Sequence, residues 1–581
     1  MVNDLLASNQ LVLLIDNYKP GTAVSNYLEK FCDDYPNTLI IAVGEETIST
    51  NYEIGNLKFG TQYGISLLYF NDLRKKEIIQ YTERQLSGET NKAQIQEKIL
   101  KLCQQMELPY NYWTISLFLL IHHKASDAYS KNLYFVLDVC VDEIFDKKRI
   151  LIEKWQVNYN QLKSICASLA TYLFEEHEDT IYSASKDEIL AFLKDEFVRN
   201  PRINFRPEEA FVFFVSCGLL KLCSNGYYVF RLNGFFEYFL AYQMTQKEKF
   251  KQGIISDDRK YLAFKNQLEI YSGLRNNDSK FLKFVFEKTV QKCSPLFEHY
   301  SEDKDAELVN KIEIPNQLEQ ESKNIATKAL SSVQKAEVED VMEEEMVLSS
   351  EVHLIPDFDP SQTSIDVISR YLSILSRVFK NIDQVDVDVI NPDNVFKTII
   401  NYYCDFSYFI IEELSQRTKN CLSQSEFVDI DEEEAFKLLK LMSNFSPLIA
   451  QMEVYDGIGH FTMERLVINE IERLKKDASH NQYKLFILYF LLFDLNLSGR
   501  EGLMDEALGF ISLPLLRYMM KLKFNYYMAF LTDSDKQLQS VIAAKIRQIE
   551  RLIDNKTDAS YIESGISSMK KDAMVNKQLN G

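Results

Sequence analysis

Apolar residues near the start of the chain form continuous runs separated by a segment with helical spacing. The run LVLLI (residues 11–15) ends at Asp16, and a second run, LIIAV, occupies residues 39–43. Between them, VSNYLEKFCDDY has apolar residues three and four positions apart. The order strand, helix, strand with uninterrupted apolar strands predicts a parallel sheet covered on both faces. Two strands alone are too few for such a sheet, so we expect partner strands from nearby sequence or from another chain.

The middle of the chain changes to helical periodicity. YWTISLFLLIHH and LYFVLDVCVDEIF are apolar nearly all round, which predicts buried helices. Residues 151–245 then show three helices, with Ser185 as a cap of the second and Pro207 in the first turn of the third. A turn at Asn225-Gly226 leads into the strand YYVFRL, and the helix GFFEYFLAYQM follows. Three helices followed by a small hairpin are typical of a winged helix.

The second half is predicted to be helical after a linker. The acid cluster EVEDVMEEE and the two prolines of IPDFDPSQT indicate a solvated linker, with an acidic sensing loop as the alternative. From about Ser364 to Asp554, apolar residues recur at helical spacing without a strict repeat period. The predicted fold is therefore mainly α, with a partial parallel α/β segment at the N-terminus, a helical bundle, a winged helix and a C-terminal helical array.

Composition and charge narrow the function classes. The 581 residues carry a formal net charge of −20, which opposes binding to phosphate backbones, so we do not expect a nucleic-acid partner. The acids of EEHED and KDEILAFLKDEF favour a winged helix that packs rather than reads DNA. The longest apolar runs are too short to span a bilayer, and we find no signal peptide. Nine cysteines without a CxxC pattern are typical of reduced, mostly buried thiols, so we predict a cytoplasmic protein.

Asp16 is the first candidate for chemistry. An aspartate at the end of a buried strand can hold the water shell of a magnesium ion bound to a nucleotide. The following residues, Asn17 to Pro20, include no side chain that could act as a general base near neutral pH. A buried strand with a polar end is the alternative interpretation, and this stretch alone favours it over a magnesium site.

A phosphate-binding loop is not found in the sequence. GNLKFGTQ (residues 55–62) has glycines at the right separation, but Thr61 and Gln62 stand where the lysine and the hydroxyl residue are needed. His122-His123 is interpreted as a helix end, and DIDEEE (residues 429–434) as the acidic first turn of a helix rather than a calcium loop. No residue is predicted to be catalytic.

Several segments, taken in order, carry a family resemblance. LVLLIDNYKP, YPNTLIIAV, LPYNYWTISLFLL and FRLNGFFEYFLAYQM resemble the later part of bacterial STAND-class, NACHT-like P-loop NTPases, over roughly residues 8–275. The resemblance implies a Walker B strand, a sensor strand, and a helical bundle and winged helix that fold over a nucleotide. Asp16 then corresponds to the Walker B aspartate that holds magnesium, and Pro109 lies near the proline that contacts adenine.

The sequence also departs from this family. The Walker A loop and the strands before it are absent, and Lys19 and Pro20 replace the acidic pair. The sensor strand ends in Gly44-Glu45-Glu46 instead of a Ser/Thr-Arg pair, and Leu232 stands where a histidine would touch the β-phosphate. Loss of the lysine loop removes most of the electrostatic hold on the phosphates.

The resemblance also divides the chain into segments. Their predicted limits are 1–105 for the partial NTPase core, 106–150 for the helical bundle, 151–245 for the winged helix, 246–310 for a helical extension, 311–360 for the acidic linker and 361–560 for a helical sensor or interaction domain.

The leading hypothesis is a STAND-like regulatory or antiviral-defence signalling protein, present here as a fragment. It would act as a conformational switch or a partner-binding scaffold without autonomous nucleotide hydrolysis, so the sequence does not predict an enzyme. The alternative is an ATP-dependent STAND switch whose Walker A half is supplied upstream or by a partner chain, and a truncated remnant is a third possibility. We expect no cofactor on this chain alone, ATP and magnesium only with the missing core, and a protein partner or self-association; the sensed ligand is not specified.

Overall fold

The computed structural model of the protein describes the greater part of the chain, in separate ranges. The described residues are 12–15, 23–36, 38–43, 73–87, 110–124, 133–146, 148–177, 182–199, 206–223, 226–297, 364–424, 432–530 and 536–554, with single positions between 92 and 103. The chain forms two compact units. The N-terminal unit comprises Met1–Ser256 and Glu339–Pro356, and the C-terminal unit comprises Asp257–Val338 and Asp357–Gly581.

The N-terminal unit begins with a strand, a helix and a strand. Strands β1 (Val12–Ile15) and β2 (Leu39–Ala42) pair in parallel. Helix α1 (Ala23–Asp34) lies between them in the sequence. Leu28 of α1 is buried, and it packs with Leu13, Ile15, Cys32 and Ile40. The predicted parallel pairing is therefore confirmed.

The two faces of this small sheet differ in exposure. The alternate side chains are largely exposed: Val12 by 51%, Leu14 by 72%, Leu39 by 60% and Ile41 by 46%. Period-two alternation places these residues opposite the face that meets α1. The expectation that both faces are covered is therefore wrong for the described residues, because only α1 packs on this strand pair there.

The rest of the N-terminal unit is helical apart from one hairpin. Its elements are α2 (Lys75–Gln85), α3 (Tyr112–Lys124), α4 (Leu133–Asp146), α5 (Arg149–Trp155), α6 (Tyr159–Glu176), α7 (Lys186–Arg199), α8 (Pro207–Ser216), β3 (Leu220–Leu222), β4 (Tyr228–Phe230), α9 (Asn233–Gln246) and α10 (Glu248–Ile255).

Local sequence signals set the limits of α7, α8 and the hairpin. The Glu188 amide donates to the Ser185 hydroxyl (3.3 Å), and the Ser185 amide donates to the Glu188 carboxylate (2.7 Å), which forms a capping box. Pro207 occupies the first turn of α8. Strands β3 and β4 pair antiparallel, and a bridge between Ala184 and Tyr228 extends the pairing. The predicted cap, first-turn proline and hairpin are confirmed.

The C-terminal unit consists of helices in the part that the structure describes. They are α11 (Asp258–Ala263), α12 (Lys265–Leu274), α13 (Ser279–Phe297), α14 (Ile365–Asn381), α15 (Pro392–Gln424), α16 (Glu432–Ile458), α17 (Glu464–Leu474), α18 (Gln482–Leu495), α19 (Glu501–Phe510), α20 (Pro514–Phe530) and α21 (Lys536–Asp554), with 3-10 turns at Phe461–Met463 and Lys475–His480.

Two helices organise the core of the C-terminal unit. Helix α14 packs against α12, α13, α15 and α16, and α18 packs against α16, α17 and α19. Every residue from Tyr483 to Phe493 is buried, so α18 is enclosed on all sides. None of the helices in the described ranges is both long and apolar enough to cross a membrane.

The chain is thus mainly α with a partial α/β segment, as predicted. The predicted limits of the six segments stay predictions, and the linker at 311–360 lies outside the described residues.

Candidate functional site

Helix α9 carries the most specific sequence signature and lies in the core of the N-terminal unit. Its residues Phe235, Phe236, Tyr238, Phe239 and Leu240 are all buried. The helix packs along α6 and also contacts α4. The aromatic residues of the signature therefore serve mainly to fix α9 against its neighbours.

A buried polar cluster joins these three helices. We call it the Lys163 cluster: Lys163 on α6, Asp138 and Asp142 on α4, and Tyr238 on α9. The Lys163 Nζ lies 2.6 Å from Asp138 Oδ1 and 2.8 Å from Asp142 Oδ1. The Tyr238 hydroxyl donates to the same Asp138 Oδ1 at 2.5 Å. Because Asp138 and Asp142 are four positions apart on α4, both face Lys163 from one side of that helix.

The Lys163 cluster holds a charge where water has little access. The Lys163 side chain is 5% exposed, against 33% for Asp138 and 40% for Asp142. Burial opposes the charged form of Lys163, but the two aspartates outweigh it and raise the pKa of the ammonium. Burial, together with the Asp138 carboxylate, also raises the pKa of Tyr238. Lysine and tyrosine therefore keep their protons near neutral pH, and the cluster joins the three helices through ion pairs and hydrogen bonds.

A second feature lies at the turn between β4 and α9. The Arg231 guanidinium lies 5.6 Å from the ring centroid of Trp113 on α3, and Trp113 meets Phe235 edge-on at 6.3 Å. Gly218 adopts φ +86°, and a Cβ there would lie 3.5 Å from Trp113 and 3.6 Å from Arg231 Nε. A methyl group at position 218 would therefore make only ordinary van der Waals contacts with these two side chains.

Arg231 carries a positive charge that no carboxylate neutralises among the described residues. Its Nε is buried and has no hydrogen-bond acceptor in the part of the chain that the structure describes, although the Arg231 amide donates to Leu219 O at 2.8 Å. The stack on Trp113 offsets part of the cost of burying the cation. An arginine without a carboxylate partner can bind an anion, because the planar N–H donors of its guanidinium match carboxylate and phosphate oxygens.

The residues proposed from the sequence are placed only in part. Asp16 and Pro109 lie outside the described residues, as do Lys19, Pro20 and residues 44–46. Leu232, at the position of the family's histidine, is described and is 4% exposed, so its side chain belongs to the core.

Two other predicted positions lie at helix ends. His122 and His123 lie in the last turn of α3, and α16 begins at Glu432, within the acidic DIDEEE run. The described residues include no group of three or more potential metal ligands.

The Lys163 cluster was not predicted, although the sequence contains a signal for it. Lys163 is a single cation between apolar residues of LKSICASLATYLF, and Asp138 and Asp142 interrupt the apolar segment LYFVLDVCVDEIF at helical spacing. Charges in otherwise buried helix faces require partners, so these three positions could have been paired as a hypothesis.

Comparison with known proteins gives one family-model match, which covers part of this site. A family model described as Novel STAND NTPase 4 matches residues 182–240. The matched segment contains α7, α8, the β3–β4 hairpin, Arg231 and Tyr238. This match supports a relationship to STAND-type NTPases, in agreement with the resemblance of the sequence. No curated protein and no solved structure matches the chain significantly.

Proposed function

We propose that this protein is a STAND-like regulatory or defence signalling protein that acts as a conformational switch or partner-binding scaffold. It would be cytoplasmic, and it would not hydrolyse nucleotide with its own residues. The observation that supports this proposal best is the Lys163 cluster, because it ties the family-matched helix α9 to α6 and α4 through one buried charge.

A buried ion pair suits a switch better than it suits pure stabilisation. Well-packed apolar residues in place of all three charged side chains would often stabilise the packed state as well as the ion pairs do. The charges, however, impose one geometry when helices are packed and favour hydration when they separate. The charges of the Lys163 cluster are therefore stabilised in two states: by each other when the helices are packed, and by water when the helices separate.

We further propose that residues 151–245 form a winged helix that mediates packing. Helices α6, α7 and α8 followed by the β3–β4 hairpin have the order of that fold. The exposed side of α8 presents Glu208, Glu209 and Val212. Carboxylates at this position repel nucleic acid, so a protein partner or a second copy of the chain is the proposed contact of this unit.

Two measurements test the leading function. In the first, the purified chain is incubated with Mg-ATP, and we expect no phosphate release above a protein-free control. Hydrolysis that disappears in Asp16→Asn would overturn the proposal. In the second, light scattering compares the wild type with Lys163→Met, and we expect opening of α4 from α6 and α9 to change self-association. An unchanged mass and radius would count against a switch at this position.

The cation of Arg231 supports a second candidate function. An ATP-dependent STAND switch, with the Walker A half supplied upstream or by a partner chain, would use Arg231 as a contact to nucleotide phosphate. Calorimetry with Mg-ATP distinguishes the candidates: micromolar binding that weakens about tenfold in Arg231→Gln would favour this one. Arg199→Gln, at the exposed end of α7, removes the same charge and serves as the control.

A further inference from the structure

The exposed side of helix α17 carries a row of residues that no site described above uses. The α17 stripe, as we call it, consists of Phe461, Arg465, Ile468 and Glu472. These positions are four, three and four residues apart, which places them along one side of a helix. The 3-10 turn Phe461–Met463 leads directly into α17, so the stripe is continuous. The side of α17 that faces the core carries Val467, Glu470, Ile471 and Leu474.

Two large apolar side chains of the stripe are exposed to solvent. Phe461 is 62% exposed and Ile468 is 38% exposed. The ring of Phe461 meets the ring of its chain neighbour His460 at 6.4 Å. Because the buried side of α17 already anchors this helix to the core, both apolar side chains remain accessible to a second molecule.

The two charged residues of the stripe differ in their contacts. Arg465 is exposed, and its guanidinium forms no hydrogen bond or ion pair with the described parts of the chain. The Glu472 side chain is 60% exposed, and the Lys475 Nζ lies 2.7 Å from its carboxylate. Lys475 is itself held by Glu506 of α19 at 2.9 Å. The fold therefore orients the Glu472 carboxylate, which can still accept a further donor from outside.

We propose that the α17 stripe joins two copies of this chain, with their α17 helices antiparallel about a twofold axis near Ile468. Arg465 lies about 4.5 Å before Ile468 along the helix, and Glu472 lies about 6 Å after it. The twofold rotation therefore brings Arg465 of each copy opposite Glu472 of the other. The difference of about 1.5 Å is well within the reach of an arginine side chain.

The stripe fits a second copy because its charges are self-complementary. Both Arg465–Glu472 contacts form together, as a twofold interface requires, and Ile468 meets Ile468 of the second copy at the centre. A parallel pair would instead place each charge beside its own kind. Lys476 is also exposed and without an ion pair among the described residues, so its stem and ammonium can cover Phe461 of the second copy.

The contact is small, and this sets the expected strength of the dimer. Two single helices bury less than the roughly 1,200–2,000 Å² of a stable interface, so we expect a dissociation constant on the order of 10 µM. The dimer goes beyond the proposed function and does not depend on it, because the contact uses no residue of the N-terminal unit.

Sedimentation equilibrium on the full chain tests the contact, and we expect a reversible monomer–dimer equilibrium of the wild type. Arg465→Glu and Glu472→Arg each replace two attractive contacts by two repulsive ones, so each should weaken the dimer about tenfold. An equimolar mixture of these two variants again places opposite charges at both contacts. The mixture should therefore form a heterodimer with about the affinity of the wild type, and so should the double variant as a homodimer.

Controls separate this contact from other causes of association. Lys283→Glu makes the same change of charge at an exposed position of α13 and should leave the affinity within about twofold. Val212→Asp, on the exposed side of α8, should also leave it unchanged. All substituted residues of the stripe are exposed, so the melting temperatures of the variants should stay close to that of the wild type.

Three results would overturn the proposal. The first is a wild type that stays monomeric up to about 100 µM, tenfold above the dissociation constant expected from the size of the contact. The second is a dimer that neither charge reversal weakens, and the third is a mixture of the two variants that stays as weak as each alone. A dimer that is lost in Val212→Asp but unaffected by the α17 variants would exclude this contact and leave the proposed function standing.

Discussion

Replacing Lys163 by methionine should loosen helices α4, α6 and α9 and should do so most at neutral pH. The substitution keeps an unbranched side chain in the buried space but removes both ion pairs of the Lys163 cluster, at 2.6 Å and 2.8 Å. Asp138 and Asp142 then face each other one turn apart on α4 without a counter-charge. Tyr238 still donates to Asp138, so the hydroxyl itself keeps its acceptor.

The size of the effect follows from burial and screening. Lys163 donates one hydrogen bond, to Asp138, and a hydrogen bond to a charged group contributes about 1.5–3 kcal/mol. Its contact with the partly exposed Asp142 is an ion pair that adds about 1 kcal/mol, so the two contacts together give about 3 kcal/mol. Methionine does not carry the desolvation cost of the ammonium, and this difference stabilises the packed state of the variant by about 1 kcal/mol. We therefore expect the opening free energy of these helices to fall by about 2 kcal/mol, which corresponds to roughly 30-fold faster amide exchange.

The pH dependence has a definite sign. Without Lys163, the neighbouring Asp138 carboxylate opposes ionisation of Asp142 and raises the pKa of Asp142 further in the folded variant. Burial already raises the pKa of Asp142 in the wild type. A carboxyl with a raised pKa binds more protons when folded, so the variant loses stability as pH rises through that pKa. The loss of stability relative to the wild type should be largest at about pH 7 and smaller at about pH 5.

Hydrogen exchange with mass spectrometry is the suitable assay, because it reports α4, α6 and α9 separately in a chain of two units. Adding Asp142→Asn to Lys163→Met removes the repulsion and should restore about half of the lost protection. Exchange in the variant that equals the wild type would refute the energetic role of the cluster. A loss of protection that does not change with pH would show that repulsion between the two carboxylates does not cause it.

Three further substitutions test backbone strain, helix packing and a nearly buried ion pair, each by thermal unfolding. Gly218→Ala should cost about 1 kcal/mol, because Gly218 has φ +86° while its surroundings leave room for a Cβ. Gly457→Ala should cost about 2–3 kcal/mol, because its Cβ would lie 2.5 Å from the Ser376 Cβ and α14 and α16 would have to separate. Asp494→Asn should cost about 3 kcal/mol, because it removes the charge that pairs with Lys523 at 2.7 Å in a site where both side chains are nearly buried.

Each of these substitutions has a matched comparison. Gly253→Ala on α10, where an added Cβ would meet no described atom within 4 Å and φ is ordinary, should be neutral or stabilising by up to about 1 kcal/mol. Equal melting temperatures for Gly218→Ala and Gly253→Ala would contradict the strain argument. Ser376→Gly should rescue Gly457→Ala, and failure to rescue would point to a different clash. Lys523→Met combined with Asp494→Asn should recover most of the loss if the unpaired ammonium is its cause.

The local elements could be predicted from the sequence because their signals are local. The segment GFFEYFLAYQM predicted a helix at 234–244, and α9 spans Asn233–Gln246. Ser185, with Glu188 three residues later, marked the start of α7. The parallel pairing of β1 with β2 followed from the uninterrupted apolar strands. In each case a few neighbouring residues determine the geometry through caps, periodicity or turn chemistry.

Contacts between distant residues could not be predicted in the same way. Asp138 meets Lys163 across 25 residues and Tyr238 across 100 residues, and periodicity does not state which helix faces meet. Lys163 signalled only that a buried charge needs a partner. The uncovered side of β1 and β2 was mispredicted for a related reason: apolar residues on a strand indicate a surface suited to burial, and they do not identify what covers it.

The buried and protonated state of Lys163 also determines how this side chain reacts with chemical reagents. The neutral amine is the nucleophile that attacks acylating reagents, and a side chain that is 5% exposed with a raised pKa presents almost none of this form. Separation of α4 from α6 would hydrate this amine and make it reactive. Modification at this one lysine, read by mass spectrometry against the exposed Lys283, therefore gives a footprint of how often the helices part in a cell lysate, without any substitution in the chain.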